Sequence, residues 1–301
     1  MDILKKLTEE FPSIREDRAQ NIINLIDEGN TIPFIARYRK EMTGSCDDQV
    51  LREFNDRLLY LRNLEKRKEE VAKSITDQGK MTEEIQKALD AAATLTEVED
   101  IYRPYKQKKK TRASVAIERG LQPLADFILA QDKNADVRAE AEKYVSEEKG
   151  VASADDAIAG AKDIIAEIVS DDANVRKKLR NLFMKNGEVQ TKLVNADKEG
   201  AKTYEMYADY SEPVAEIKSH RVLAVNRGEK EDFLKVKVVF NDEIAKRIAG
   251  AGYLKDGGYS TELVKEAVDD GYDRLIYPSI EREIRAALTE SASEQAIKMF
   301  E

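Results

Sequence analysis

Between Tyr102 and Arg112 the chain reads Tyr-Arg-Pro-Tyr-Lys-Gln-Lys-Lys-Lys-Thr-Arg: six cations (Arg103, Lys106, Lys108, Lys109, Lys110 and Arg112), two tyrosines and no acid. This mixture suits a polyanion that also carries flat rings, because ammonium and guanidinium groups neutralise phosphates while Tyr102 and Tyr105 can stack on bases or guanidinium planes. If all six cations met phosphates, log K would fall against log salt with a slope of about −5. The competing reading is intramolecular. Just upstream, Glu83, Glu84, Asp90, Glu97, Glu99 and Asp100 stand against Lys87 alone, and the basic run could neutralise that block or dock elsewhere on the chain. A smaller candidate is Arg37, Arg39 and Lys40 around Tyr38, diluted by Glu41.

Catalytic chemistry has little to draw on. His220 is the single histidine and Cys46 the single cysteine, so there is no internal disulfide and no thiolate or imidazole cage for a metal. His220 reads as a local hydrogen-bonding residue near a helix start. Cys46 stands beside Asp47 and Asp48, whose charges raise a thiol pKa, so it reads as a small half-buried side chain. There is no P-loop, no GxGxxG and no pair of acids flanked as a two-metal nuclease needs. The expectation is a protein that is not an enzyme and uses no cofactor, with a metal-dependent nuclease as a distant rival.

The net charge is −9, and residues 1–120 sum to zero, so residues 121–301 carry all of it. Such a chain repels polyanions except at local basic patches, and any nucleic-acid contact must be focal and weak. Charged residues make up 36% and aromatics 7%, which favours an elongated helical body over one large spherical core. No 18-residue apolar run occurs and the N-terminal stretch is broken by charges, so neither a membrane span nor a secretion signal is expected. One cysteine is compatible with a reducing compartment, and the cytoplasm is the expected location.

Apolar positions recur at three and four, and Gly and Pro sit at the ends of periodic runs. The fold class is mainly α. Helices are expected at about 2–10, 15–28 and 33–40, the last two resembling a helix-turn-helix with Ile32, Phe34 and Ile35 as core. A long helix at about 47–78 should act as a strut of roughly 45 Å. Further helices should start at Thr82 and at Thr96, where Glu99 completes a capping box. After the basic loop come helices at about 123–131, 136–146, 153–169 and 172–186. Alternation at 188–194 and 234–240 predicts strands of a small β element. Ser219 to Gly228 reads as a helix, with a strand as the alternative for Val222 to Val225. Helices resume at about 241–249, 261–275 and 278–289, and Ser291 with Glu294 would cap another, whose apolar Ile297, Met299 and Phe300 look cut short. The expected domains are 1–187 and 188–301.

Three stretches resemble the Tex family of bacterial transcription accessory proteins: Thr31 to Gly44 (TIPFIARYRKEMTG), Asp100 to Arg112 (DIYRPYKQKKKTR) and Ser219 to Glu229 (SHRVLAVNRGE). The resemblance implies a cytoplasmic nucleic-acid-binding protein, similar to the core of a eukaryotic elongation factor that chaperones histones, with a helix-turn-helix in its N-terminal helical region. It also implies RNase-H-like, helix-hairpin-helix and OB-fold RNA-binding domains beyond the present residues. Cys46 stands where the family pattern suggests an apolar residue such as Leu. The expected function is thus a scaffold that positions those downstream domains and adds a phosphate contact of its own. The alternative is a protein-interaction strut that docks RNA polymerase, the ribosome or the protein's own C-terminal domains.

Overall fold

The computed structural model describes residues 2–256 and 258–300, without the side chains of 298–300, so the expectation for Met299 and Phe300 lies outside the described side chains. Its fold is mainly helical with one small antiparallel sheet. Contacts divide the chain into two units, residues 1–105 and 106–301.

The first unit contains α1 (Ile3–Glu10), α2 (Glu16–Asp27), α3 (Ile32–Tyr38), a single turn α4 (Lys40–Thr43), α5 (Asp48–Asp77), α6 (Glu83–Ala91) and α7 (Leu95–Tyr102). Local chemistry sets most of the boundaries. Thr31 caps α3 with Pro33 in its first turn, Gly44 takes a left-handed φ of 74° to close α4, and the Asp47 carboxylate accepts from Val50 N–H at 2.8 Å to open α5. The 30 residues of α5 span about 45 Å at 1.5 Å per residue. Its buried stripe serves two separate cores. Leu51, Phe54, Leu58 and Leu61 pack with α1, α2 and α3, while Leu64, Val71 and Ile75 pack with Leu89 of α6 and Val98 of α7. The start of α7 lies two residues before the expected one: Thr94 caps Glu97 N–H at 3.2 Å and the Glu97 carboxylate reaches back to Ala93 N–H at 2.7 Å. The capping pattern is therefore Thr94 with Glu97, not Thr96 with Glu99.

The second unit contains α8 (Arg112–Glu118), α9 (Gln122–Ala130), α10 (Val137–Glu142), α11 (Ala154–Asp171), α12 (Ala173–Asn186), β1 (Glu188–Leu193), β2 (Asp209–Pro213), α13 (Ser219–Lys230), β3 (Leu234–Val239), α14 (Asp242–Gly250), α15 (Tyr259–Gly271) and α16 (Tyr277–Phe300). The sheet order is β2-β1-β3, with Val189 opposite Val238 and Glu188 opposite Pro213. β1 and β3 fall where the alternation places them. β2 has no such signal, because Asp-Tyr-Ser-Glu-Pro is an exposed edge strand held by backbone pairing and ended by a proline. Val222 to Val225 are helical, and Gly228 lies inside α13 against Leu234 and Tyr204, not at its end.

α15 and α16 are joined by a π turn, Tyr272–Ile276, whose wide hydrogen bond runs from Tyr277 N–H to Tyr272 C=O. Helix therefore continues through Pro278 and past Ser291, where the residue types predict breaks. α11 is apolar on nearly every side and packs against α8, α9, α10 and α15. Its approach to α15 is close: a Cβ at Gly271 would sit 2.9 Å from the Ala166 carbonyl oxygen. Gly271→Ala should therefore cost about 1–3 kcal/mol through overpacking, despite alanine's better helix propensity. A thermal melt checks this, and an unchanged Tm would show that the two helices can part freely.

The expected division at residues 187/188 differs from this arrangement. Residues on both sides share one hydrophobic cluster, and Phe183 of α12 lies against Phe240 and Tyr277 at ring distances of 5.4 and 6.1 Å. The change from helix to strand there is a change of secondary structure within one core.

Candidate nucleic-acid interface

The last turn of α7 and the 3-10 turn Arg103–Tyr105 carry the start of the basic run. Both tyrosines face the first unit itself. The Tyr102 hydroxyl is 3.0 Å from Ser74 Oγ of α5, and the Arg67 guanidinium lies 5.5 Å from its ring centroid. Tyr105 packs against the second core of α5, and its carbonyl accepts from Gln78 Nε2 at 3.0 Å. Arg103, between the two in sequence, is half-buried. The ring faces of this segment thus serve packing before they serve any ligand.

Within the second unit the cations divide into two groups. Lys108 is held by acids of α11: its ammonium pairs with Asp171 and stands 3.5 Å from Glu167. This is the intramolecular role open to the run, although the acids are on α11 and not in the upstream acidic block. Lys106, Lys109 and Lys110 are exposed. Thr111 opens α8 through a reciprocal cap, in which Ser114 N–H donates to Thr111 Oγ1 at 3.0 Å and Thr111 N–H to Ser114 Oγ at 2.8 Å. That cap fixes Arg112 as the exposed first residue of α8.

Lys110, Arg112 and Arg119 line an open depression of about 390 Å³ whose acids are Asp156 and Asp163. These acids already face cations, Asp156 meeting Arg119 at 3.6 Å and Asp163 meeting Arg274 at 3.3 Å. Burial pushes the Asp163 pKa up against the opposing charges of Arg274 and Arg112. The neighbouring Asp270 is held below the usual carboxylate range, first by its hydrogen bond to Arg274 and then by surrounding cations that include Arg112. Arg112 is therefore partly screened by acids, and Lys106, Lys109 and Lys110 are the most outward charges of the run.

In the first unit Arg37, Arg39 and Lys40 are all exposed on α3 and α4. α4 is tied to α2 by Arg18, which donates to Glu41 C=O, and by Asn21, which donates to Met42 C=O at 3.2 Å. The expected core trio divides here. Ile35 is buried and Ile32 half-buried, but Phe34 is exposed, because the Thr31 cap and Pro33 phase α3 so that Ile35 points at α5. Phe34 and Tyr38 are one turn apart with ring centroids 5.2 Å apart, and Arg39 lies 5.2 Å from the Phe34 centroid. Residue type alone puts Phe34 in the core and hides it as a surface residue; its i, i+4 spacing to Tyr38 is the signal that points the other way.

Cys46 Sγ lies 3.1 Å from Thr43 C=O, and burial followed by the Asp47 charge raises its thiol pKa, so a nucleophilic thiolate is disfavoured. His220 is exposed at the start of α13. No group of three or more His, Cys, Asp or Glu that could hold a metal occurs among the described residues, and no described helix is long and apolar enough to cross a membrane.

Fold and surface together define a class: a mainly helical protein built around a long bridging helix, a small antiparallel sheet and short outward-facing basic segments. Residues 1–76 match the Tex-like protein N-terminal domain, and residues 132–300 match the Tex central region-like model. The chain belongs to the Tex family. It is 44% identical over 300 residues to the uncharacterized protein YdcI of Bacillus subtilis, covering 99% of this chain and 42% of that protein. Against the transcriptional accessory protein Tex of Neisseria gonorrhoeae the identity is 37% over 309 residues, 100% of this chain and 40% of the relative. The human S1 RNA-binding domain-containing protein 1 is 32% identical over 297 residues, 93% of this chain and 29% of that protein. The chain thus spans about two-fifths of the length of these bacterial relatives.

Proposed function

We propose that this chain is a non-catalytic helical scaffold of a nucleic-acid-binding transcription accessory protein, and that Lys106, Lys109, Lys110 and Arg112 touch the phosphate backbone. The observation that carries this reading is the outward placement of three lysines on a segment anchored by Lys108 and by the α8 cap, in a chain of net charge −9. The two units serve to position further nucleic-acid-binding domains, such as the one for which the human relative is named. α2 and α3, joined by a four-residue connection, act in this reading as a helix-turn-helix used for packing and backbone approach, not for reading base sequence.

Titration against duplex DNA across a salt series tests the phosphate contact. Four neutralised phosphates give a log–log slope of about −3 to −4, and the triple variant K106A/K109A/K110A should bring it to about −1. Lys108→Ala should leave the slope nearly unchanged, since its charge is committed to Asp171 and Glu167. A triple variant that keeps the parental slope, or a parent that does not bind at low salt, would sink the proposal.

A further inference from the structure

We infer that Phe34, Tyr38 and Arg39 form a stacking platform for unpaired bases of single-stranded nucleic acid, with Arg37 and Lys40 neutralising the adjoining phosphates. The inference deepens the nucleic-acid reading above, but it rests on different residues in the other unit. Phe34 is 36% exposed, Tyr38 61% and Met42 40%, an apolar ridge at i, i+4 and i+8 that leaves the core to Ile35, which is wholly buried. Ile35 and the ties of α4 to α2 hold the ridge in place, so little side-chain freedom is lost when a ligand arrives.

The surrounding charge selects the occupant. Three cations, Arg37, Arg39 and Lys40, face the one acid Glu41 within residues 31–44, whereas the whole chain is net negative. An apolar ridge rimmed by cations fits a polyanion that carries π faces. The Arg39 guanidinium already lies against the Phe34 ring, and the more open Tyr38 ring offers a face to a base. Duplexes keep their base faces stacked, so only unpaired bases can use such a ridge.

The test measures fluorescence anisotropy of 12-nucleotide oligo(U), 12-nucleotide oligo(dT) and a 12-base-pair blunt duplex with the whole chain at low salt. F34A/Y38A should weaken the single strands about tenfold or more and the duplex less than twofold. F34Y/Y38W, which keeps both rings, should hold the parental affinity, and a thermal melt of each variant shows whether it is folded. Unchanged single-strand affinity in F34A/Y38A, including the case in which the ridge takes a protein instead, overturns the inference, as does an equal loss on the duplex. The K106A/K109A/K110A chain measured alongside separates the two proposals. If that variant loses binding and F34A/Y38A does not, only the platform fails; the reverse result retains the platform and removes the loop contact. No binding by the parent overturns both.

Discussion

Glu283→Gln should lower the unfolding free energy of the second unit by about 3 kcal/mol, the loss expected when one partner is removed from a buried charge network. Arg176 of α12 is wholly buried, and its guanidinium donates to Glu283 and to Ser279 Oγ at 2.9 Å, both on α16. Arg180 Nε donates to the second Glu283 oxygen at 2.8 Å. One carboxylate thus serves two guanidiniums and fastens α12 to α16. Burial alone would raise the Glu283 pKa, but the charges of Arg176 and Arg180 outweigh it and hold the group below the ordinary glutamate value of 4.5. A depressed folded-state pKa gives stability that is fully present above the unfolded value and is lost as pH falls through the folded value. Urea unfolding from pH 7 down to pH 3 should therefore show the gap between parent and variant narrowing below about pH 4.5. A gap of constant size across that range would show that the carboxylate charge is not what fastens the two helices.

Phe183→Ala should cost about 3–5 kcal/mol, since a wholly buried ring is lost and its site cannot collapse easily. The ring touches both the helical part before residue 187 and Phe240 and Tyr277 after it, so the loss should be shared across that position. Hydrogen exchange followed separately on α12 and β3 is the informative measurement. Protection should fall in both by a similar factor if they open as one cooperative unit. If β3 kept its protection while α12 lost it, residues 188–301 would be an independent domain, as the change of sequence texture after Gly187 predicts.

Features whose causes lie within a few residues are legible in the sequence alone. The α5 stripe, the Asp47, Ser153 and Asp172 caps and the alternation of β1 and β3 each declare themselves locally. The basic segment is legible for the same reason, because its six cations are contiguous. Features that depend on distant partners are not. Nothing near Lys108 announces that Asp171, 63 residues away, will hold it, and nothing in Asp209–Pro213 announces pairing with β1. Thr94 and Thr96 present the same capping spacing two residues apart, and the helix uses the earlier one. Phe34 is core by residue type, yet the phase of a seven-residue helix decides its exposure. Tyr102 and Tyr105 show the converse: aromatic residues beside lysines suggest ligand-facing rings, and the adjacent α5 core takes them.

The wide turn at Tyr272–Ile276 makes the helix that follows it sensitive to length more than to composition. Removing one residue there would restore ordinary winding and swing everything beyond by about 100°, since 3.6 residues complete a turn. Ile280 and Ile284 would leave the interior together, and Glu283 would rotate away from both arginines. Single replacements along α16 are thus local events, whereas a one-residue gap misaligns the entire rod, so homologous chains must either keep the extra residue or rebuild the facing surface of α12.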